Sequence, residues 1–210
     1  MSQAKFNVRR VAVLGAGVMG AQIAAHLVNA SVPTVLFDLA SPTGDKSAIA
    51  KKAIAGLQKL KPAPLAARGR ADYITPANYE EHLHLLQDCD LVIEAIAERI
   101  DWKTDLYHLV APHLGAHTLF ATNTSGLSIN TLAAACPDSV RPRFCGVHFF
   151  NPPRYMHLVE IIPCVTSDAD VLDKLERFLV TTLGKGVVRA KDTPNFVANR
   201  IGVFSILATM

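Results

Sequence analysis

Charge is scarce in this sequence of 210 residues, and none of it is massed. Lys and Arg number 21 against 18 Asp and Glu, a formal net charge of +3. No dense run of basic residues offers an electrostatic footprint for nucleic acid, so no nucleic-acid partner is expected. Charged residues are 19% and apolar residues 50%, which excludes a disordered or fibrous chain. Cysteine is also sparse: Cys89, Cys136, Cys145 and Cys164 are widely spaced, with no C-x-x-C pair. That excludes a disulfide framework and a zinc motif, and it suits a reducing, cytoplasmic setting. The histidines other than His148 form no ligand-spaced cluster, so no metal is expected. No strongly apolar run reaches the roughly 18 residues of a membrane span. The N-terminal "KFNVRRVAVLGAGVMGAQIAA" has the basic-then-apolar look of a secretory leader. Its three glycines and its direct run into a second strand pattern favour a strand and a helix instead.

What is present is a string of strand and helix patterns, long enough for one large α/β domain or a domain plus a fragment. "RRVAVLG" reads as a buried strand, followed by a helix over about 18–30, and "PTVLFD" as a second strand ending at Asp38. A helix is expected over about 45–60, broken by "KPAP"; 61–79 carries no clear pattern and leaves room for irregular connections. Strands follow in "DLVIEA", "HTLFATN" and "RFCGVHFF", with helices in "DWKTDLYHLV", bent or ended at Pro112, and in "SINTLAAAC". This alternation predicts a doubly wound α/β domain with a mostly parallel sheet covered on both faces.

The turn "GAGVMG" follows the first strand and opens the first helix, and Asp38 closes the next strand 18 residues past Gly20. In that context it is a dinucleotide fingerprint. Gly15 makes the tight turn, Gly17 admits the pyrophosphate to the helix N-terminus beside Val18 and Met19, and Gly20 lets helix and strand approach. Asp38 would accept from the adenosine ribose hydroxyls. Leu39, Ala40 and Ser41 bring no cation for a 2′-phosphate, so NAD is expected over NADP.

The stretch "GVHFFNPPRYMHLVEII" (146–162) sets His148, Asn151 and Glu160 among aromatic and branched residues. "NPPRY" is too short for a parallel crossover, so "HLVEII" should turn back antiparallel beside "VHFF". A turn centred on Arg154 puts His148 directly opposite Glu160, an imidazole facing a carboxylate. The plainer alternatives are a satisfied core histidine and a strand-end charge.

The blocks "GAGVMG…LFD", "VIEAIAE", "TNTSGLSI", "GVHFFNPPRYMHLVE" and "KDTPNFVANRIG" together resemble the L-3-hydroxyacyl-CoA dehydrogenase family over nearly the whole chain. The resemblance implies an eight-stranded NAD-binding domain followed by an all-helical domain. It implies His148 as catalytic base, Glu160 as its orienting carboxylate, and Ser125 and Asn199 as substrate contacts. Glu98, Lys103, Asn123 and Asn151 would line the nicotinamide half of the cofactor site. The simpler readings are turn formers for Asn123 and Ser125, an exposed helix residue for Asn199, and a solvated pair for Glu98 and Lys103. The family's longer helical pair after the second strand, where the CoA moiety lies, has no clear counterpart in "KKAIAGLQKLKPAPLAARGR".

The residues suit that chemistry independently. Oxidising a secondary alcohol needs a base for the hydroxyl proton and a hydride acceptor at the same carbon, and neutral imidazole is available near pH 7. The expected function is reversible NAD-dependent oxidation of an L-3-hydroxyacyl-CoA to the 3-ketoacyl-CoA. Alternatives are a dehydrogenase of a free 3-hydroxy acid and a silent dinucleotide-binding module. Residues 1–192 are expected to form the NAD-binding domain. Residues 193–210 would begin a helical domain that forms a homo-oligomer, starting at Thr193 as N-cap with Pro194 at the first helical position.

Overall fold

The computed structural model describes residues 8–209; the basic lead-in at Lys5 and the terminal Met210 lie outside them. The chain builds one eight-stranded sheet. Its strands are β1 (Val11–Leu14), β2 (Thr34–Asp38), β3 (Ile74–Asn78), β4 (Leu91–Glu94), β5 (Leu119–Thr122), β6 (Phe144–Phe149), β7 (Leu158–Pro163) and β8 (Gly186–Arg189). They lie in the order β3-β2-β1-β4-β5-β6-β7-β8. The first six run parallel; β7 is antiparallel to β6, and β8 parallel to β7. The helices are α1 (Val18–Asn29), α2 (Ala48–Leu57), α3 (Ile100–Val110), α4 (Ile129–Ala134), α5 (Ala169–Thr181) and α6 (Ala198–Ala208).

The strands read as unbroken apolar runs because both faces are covered, and successive side chains serve opposite cores. Val11, Val13, Ile93 and Val147 join Ile23 and Leu27 of α1 and Leu175 and Phe178 of α5 on one face. Ala12, Leu14, Val92 and Phe120 join Tyr107 of α3 and Leu132 of α4 on the other. Strand order reverses between β1 and β4, so a crevice opens at their C-terminal ends, the place where doubly wound sheets take ligands.

Two expectations are corrected, and the stretch without a clear pattern is filled in. The stretch 61–79 is not all irregular: a 3₁₀ turn over Arg68–Tyr73 leads into β3, which pairs with β2. Pro76 hid this strand, and it is tolerated because β3 is the sheet's edge, where a missing N–H breaks no ladder. Helix α2 is shorter than expected, its start delayed because Asp45 accepts from Ser47 N in a turn of its own. The last helix starts at Ala198, not at Pro194. Asn195 and Phe196 sit at φ 62° and 50°, a left-handed pair that no α-helix contains, so Thr193 and Pro194 belong to a turn ahead of it.

Candidate active site

The β6–β7 hairpin puts His148 in register with Glu160, and His148 Nδ1 lies 2.8 Å from Glu160 Oε2. Glu160 is wholly buried and His148 is 5% exposed. The other carboxylate oxygen, Oε1, accepts from the backbone N–H groups of Val197 and Ala198, both at 2.9 Å. Glu160 thus also caps the first turn of α6, where the helix dipole favours a negative charge. An ionised carboxylate only accepts, so the proton shared with His148 sits on Nδ1 and leaves Nε2 with its lone pair. Nε2 has no partner among the described residues. The rings of Phe150 (centroids 4.4 Å) and Phe196 (5.8 Å) pack on the imidazole. Glu160 is therefore no strand-end surface charge, and His148 is satisfied at one nitrogen only.

The glycine turn lies at the sheet's reversal. Gly15 has φ 104°, and a Cβ there would stand 2.8 Å from Ala95 O in the loop after β4. A Cβ on Gly20 would stand 1.8 Å from Gly15 O, so the close packing of α1 on its own turn permits no side chain. At Gly17, the N-cap of α1, a Cβ would meet nothing within 4 Å. This open cradle at an uncapped helix N-terminus suits a diphosphate. Asp38 braces the turn: its Oδ2 accepts from Ala16 N at 2.6 Å and its Oδ1 from Leu39 N at 2.7 Å. Each oxygen keeps a lone pair for a ribose hydroxyl. Val18 (69% exposed) and Leu39 (67%) give the cradle apolar sides, and Met19 is half-buried. The residues fit NAD.

The remaining site residues gather at the same strand ends. Exposed Glu98 accepts from Thr124 Oγ1 (2.6 Å) and Ser125 N (2.9 Å), tying the loop after β4 to the loop after β5. Asn123 Oδ1 accepts from Phe149 N at 2.9 Å, beside His148. Asn199 Nδ2 donates to Ser125 O at 3.4 Å, so α6 comes up against that loop. Asn151 Oδ1 accepts from Gln22 Nε2 at 3.2 Å, joining the hairpin turn to α1.

Lys103 is the exception. Expected to line the nicotinamide half, it is completely buried, with Nζ 2.6 Å from Glu94 Oε1. It is therefore not a solvated partner of Glu98. Glu94 also accepts from Ile96 N, Tyr107 OH and Thr122 Oγ1. Burial, first, and the Glu94 charge push the Tyr107 hydroxyl well above its ordinary pKa. Sequence reasoning missed Glu94 and Gln22. A glutamate closing the apolar "DLVIE" was a signal for the first, because such a carboxylate must find donors.

Comparison with known proteins decides the family. The model of the 3-hydroxyacyl-CoA dehydrogenase NAD-binding domain matches residues 10–193. The chain belongs to this family. A Bacillus subtilis protein named "Probable 3-hydroxyacyl-CoA dehydrogenase" is 41% identical over 97% of this chain and 28% of its own length. The mitochondrial hydroxyacyl-coenzyme A dehydrogenase of Sus scrofa is 35% identical over 95% of this chain and 64% of its own. The crystal structure of 3-hydroxybutyryl-CoA dehydrogenase from Escherichia coli K12 superposes with a TM-score of 0.78 at 33% identity, covering 94% of this chain and 41% of that one. The chain thus spans less than two thirds of these relatives. NAD is the cofactor of this dehydrogenase domain.

In this 3-hydroxyacyl-CoA dehydrogenase domain the His148–Glu160 pair and the Gly15–Gly20 turn belong to one eight-stranded sheet. Gln22, four residues into α1, reaches the turn three residues beyond His148. Among the described residues no group of His, Cys, Asp and Glu could hold a metal, and no helix is long and apolar enough to cross a membrane.

Proposed function

We propose that the protein carrying this domain oxidises the 3-hydroxyl of an L-3-hydroxyacyl-CoA to the 3-ketone, reversibly. The observation that carries this reading is the His148 Nδ1–Glu160 Oε2 contact of 2.8 Å, with no partner on Nε2 among the described residues. His148 Nε2 takes the hydroxyl proton as the C–H bond gives up its hydride. Bound NAD supplies the hydride acceptor. Glu160 holds the imidazole in the productive tautomer and stabilises the imidazolium, as the carboxylate does in a Ser-His-Asp site. Ser125 and Asn199 fix the oxygens of the substrate. Asn123, Asn151 and Glu98 frame the nicotinamide side, so that the carbon losing hydride faces its acceptor.

The relatives' printed names favour a CoA thioester over a free acid. Within the same reading, residues 193–210 open a second, helical domain that completes the acyl-CoA site and forms a homo-oligomer in the cytoplasm. Its support is α6, apolar and exposed over its length from Ile201 onward, with Phe204 73% and Leu207 67% exposed. The test offers the full-length protein a 3-hydroxyacyl-CoA and the matching free 3-hydroxy acid with NAD. NADH formation from the thioester alone is expected. NADH from the free acid alone would replace the thioester by the free acid, equal rates would show that the thioester is not recognised, and no NADH from either would leave a silent binding module.

A further inference from the structure

Between the last strand and α6 the chain must cross from the sheet to the catalytic pair. It leaves β8 with Ala190 N bonded to Ile161 O (2.9 Å), and eight residues later Val197 and Ala198 cap Glu160. One side chain moors the crossing. Asp192 Oδ1 accepts from Ile129 N (2.9 Å), and its Oδ2 accepts from Ser128 Oγ (2.8 Å), Asn130 N (2.9 Å) and Asn130 Nδ2 (2.6 Å). Burial alone would raise this carboxyl, but the Asn130 and Ile129 backbone donors, with the Ser128 and Asn130 side chains, hold it below its ordinary pKa. Beyond the mooring come the left-handed Asn195 and Phe196, a conformation that persists only where surroundings enforce it. Phe196, 1% exposed, lays its edge against the His148 ring.

We propose that Asp192 is a positioning residue for the reaction, the mooring through which the Phe196–Ala198 turn is held on His148 and Glu160. The inference rests on the reading of that pair as the reacting groups. Three residues before Ser128 stands Ser125, whose carbonyl accepts from Asn199 at 3.4 Å. Asp192 therefore fixes the substrate-side loop and the start of α6 against each other by one carboxylate. Without it, the Glu160 carboxylate loses the two N–H groups that fix its rotation, and the hydrogen bond to Nδ1 loosens with it. The Asp192 carboxylate acts through Ser128, Ile129 and Asn130, which take all four of its hydrogen bonds.

The test uses full-length protein carrying Asp192→Asn, whose amide turns donors toward donors, and Ser128→Ala, which removes one of the four hydrogen bonds. The first readout is the downfield Nδ1–H proton resonance of His148, assigned by its loss in His148→Gln. In Asp192→Asn it should shift or broaden into solvent exchange. Turnover should fall roughly tenfold or more through kcat, with NADH affinity within about twofold, as expected when a base is misplaced by a fraction of an ångström. Ser128→Ala should move both in the same direction by less. A folded Asp192→Asn with the wild-type resonance and kcat would overturn the proposal. So would an unaltered resonance in Ser128→Ala, should Asp192→Asn fail to fold. A resonance that moves in a protein with no turnover of any 3-hydroxyacyl-CoA would keep the mooring and dismiss the function.

Discussion

The Lys103 ammonium sits 2.6 Å from Glu94 Oε1, and neither side chain is exposed at all. Glu94 has four donors in total, from Lys103, Ile96, Tyr107 and Thr122. The carboxylate is thus saturated, and it locks the end of β4 to α3 and β5 directly beneath the loop that carries Glu98. A buried pair of this kind is costly to break from one side, because the surviving charge is left uncompensated. Lys103→Met should lower unfolding free energy by about 3–5 kcal/mol in urea denaturation. Lys103→Met with Glu94→Gln should recover part of that loss. A double variant as weak as the sum of the two singles would mean that the pair is not coupled.

His148→Gln removes the proposed base and keeps the ring's polar shape in part. Turnover should fall by about 10²–10⁴, the usual worth of general-base catalysis, with NADH titrating as in wild type. Glu160→Gln should cost turnover as well, and it should also loosen α6, because the same carboxylate accepts from Val197 and Ala198. Near-normal turnover in His148→Gln would assign the pair to the fold.

The hairpin was legible because His148 and Glu160 stand equally far from Arg154, and the register follows. The dinucleotide turn was legible because glycine spacing and the acid after β2 report backbone geometry directly. Three features were not. Strand β3 carries Pro76 and gives no alternating pattern, and only its place at the sheet's edge explains it. The start of α6 was hidden because "DTPN" satisfies every local rule for a helix N-terminus, while the packing of Phe196 on His148 bends the chain away first. Lys103 was expected beside the nicotinamide, and its buried partner, Glu94, lies nine residues back across the loop, where no local pattern announces it.

Asp38 braces the glycine turn, and with the proposed ribose contact its removal should show two effects. Asp38→Ala should weaken NADH binding, and it should also cost about 1 kcal/mol of stability by leaving Ala16 N without its acceptor. Wild type should bind NADH far more tightly than NADPH, since a phosphate on the ribose would meet this carboxylate. Isothermal titration of both nucleotides against both proteins checks it. Equal affinity of wild type for the two would remove Asp38 from the ribose.

His26 lies in α1 with neither ring nitrogen in a hydrogen bond of good geometry. Burial, then the Lys185 charge, lowers its pKa to about 4; the nearby Leu183 backbone opposes the shift and the Arg154 charge adds a little to it. Lys185 cannot retreat, because its ammonium is held by the carbonyls of Pro153 and Met156 in the hairpin turn, and burial brings its own pKa down to about 8. The folded state therefore keeps His26 neutral where the unfolded chain, with a histidine pKa of about 6.5, takes a proton. Well above about pH 6.5 neither state binds it and stability is untouched. As pH falls from there toward 4, the unfolded state gains a proton that the folded state refuses, and stability declines. The loss by about pH 4 should be on the order of 2 kcal/mol, discounting for the ring's partial exposure. His26→Leu should remove this slope. Urea midpoints of both proteins, followed from about pH 7 down to about 4.5, should diverge steadily in favour of the variant. Curves that stay parallel would show that the ring finds a partner on protonation.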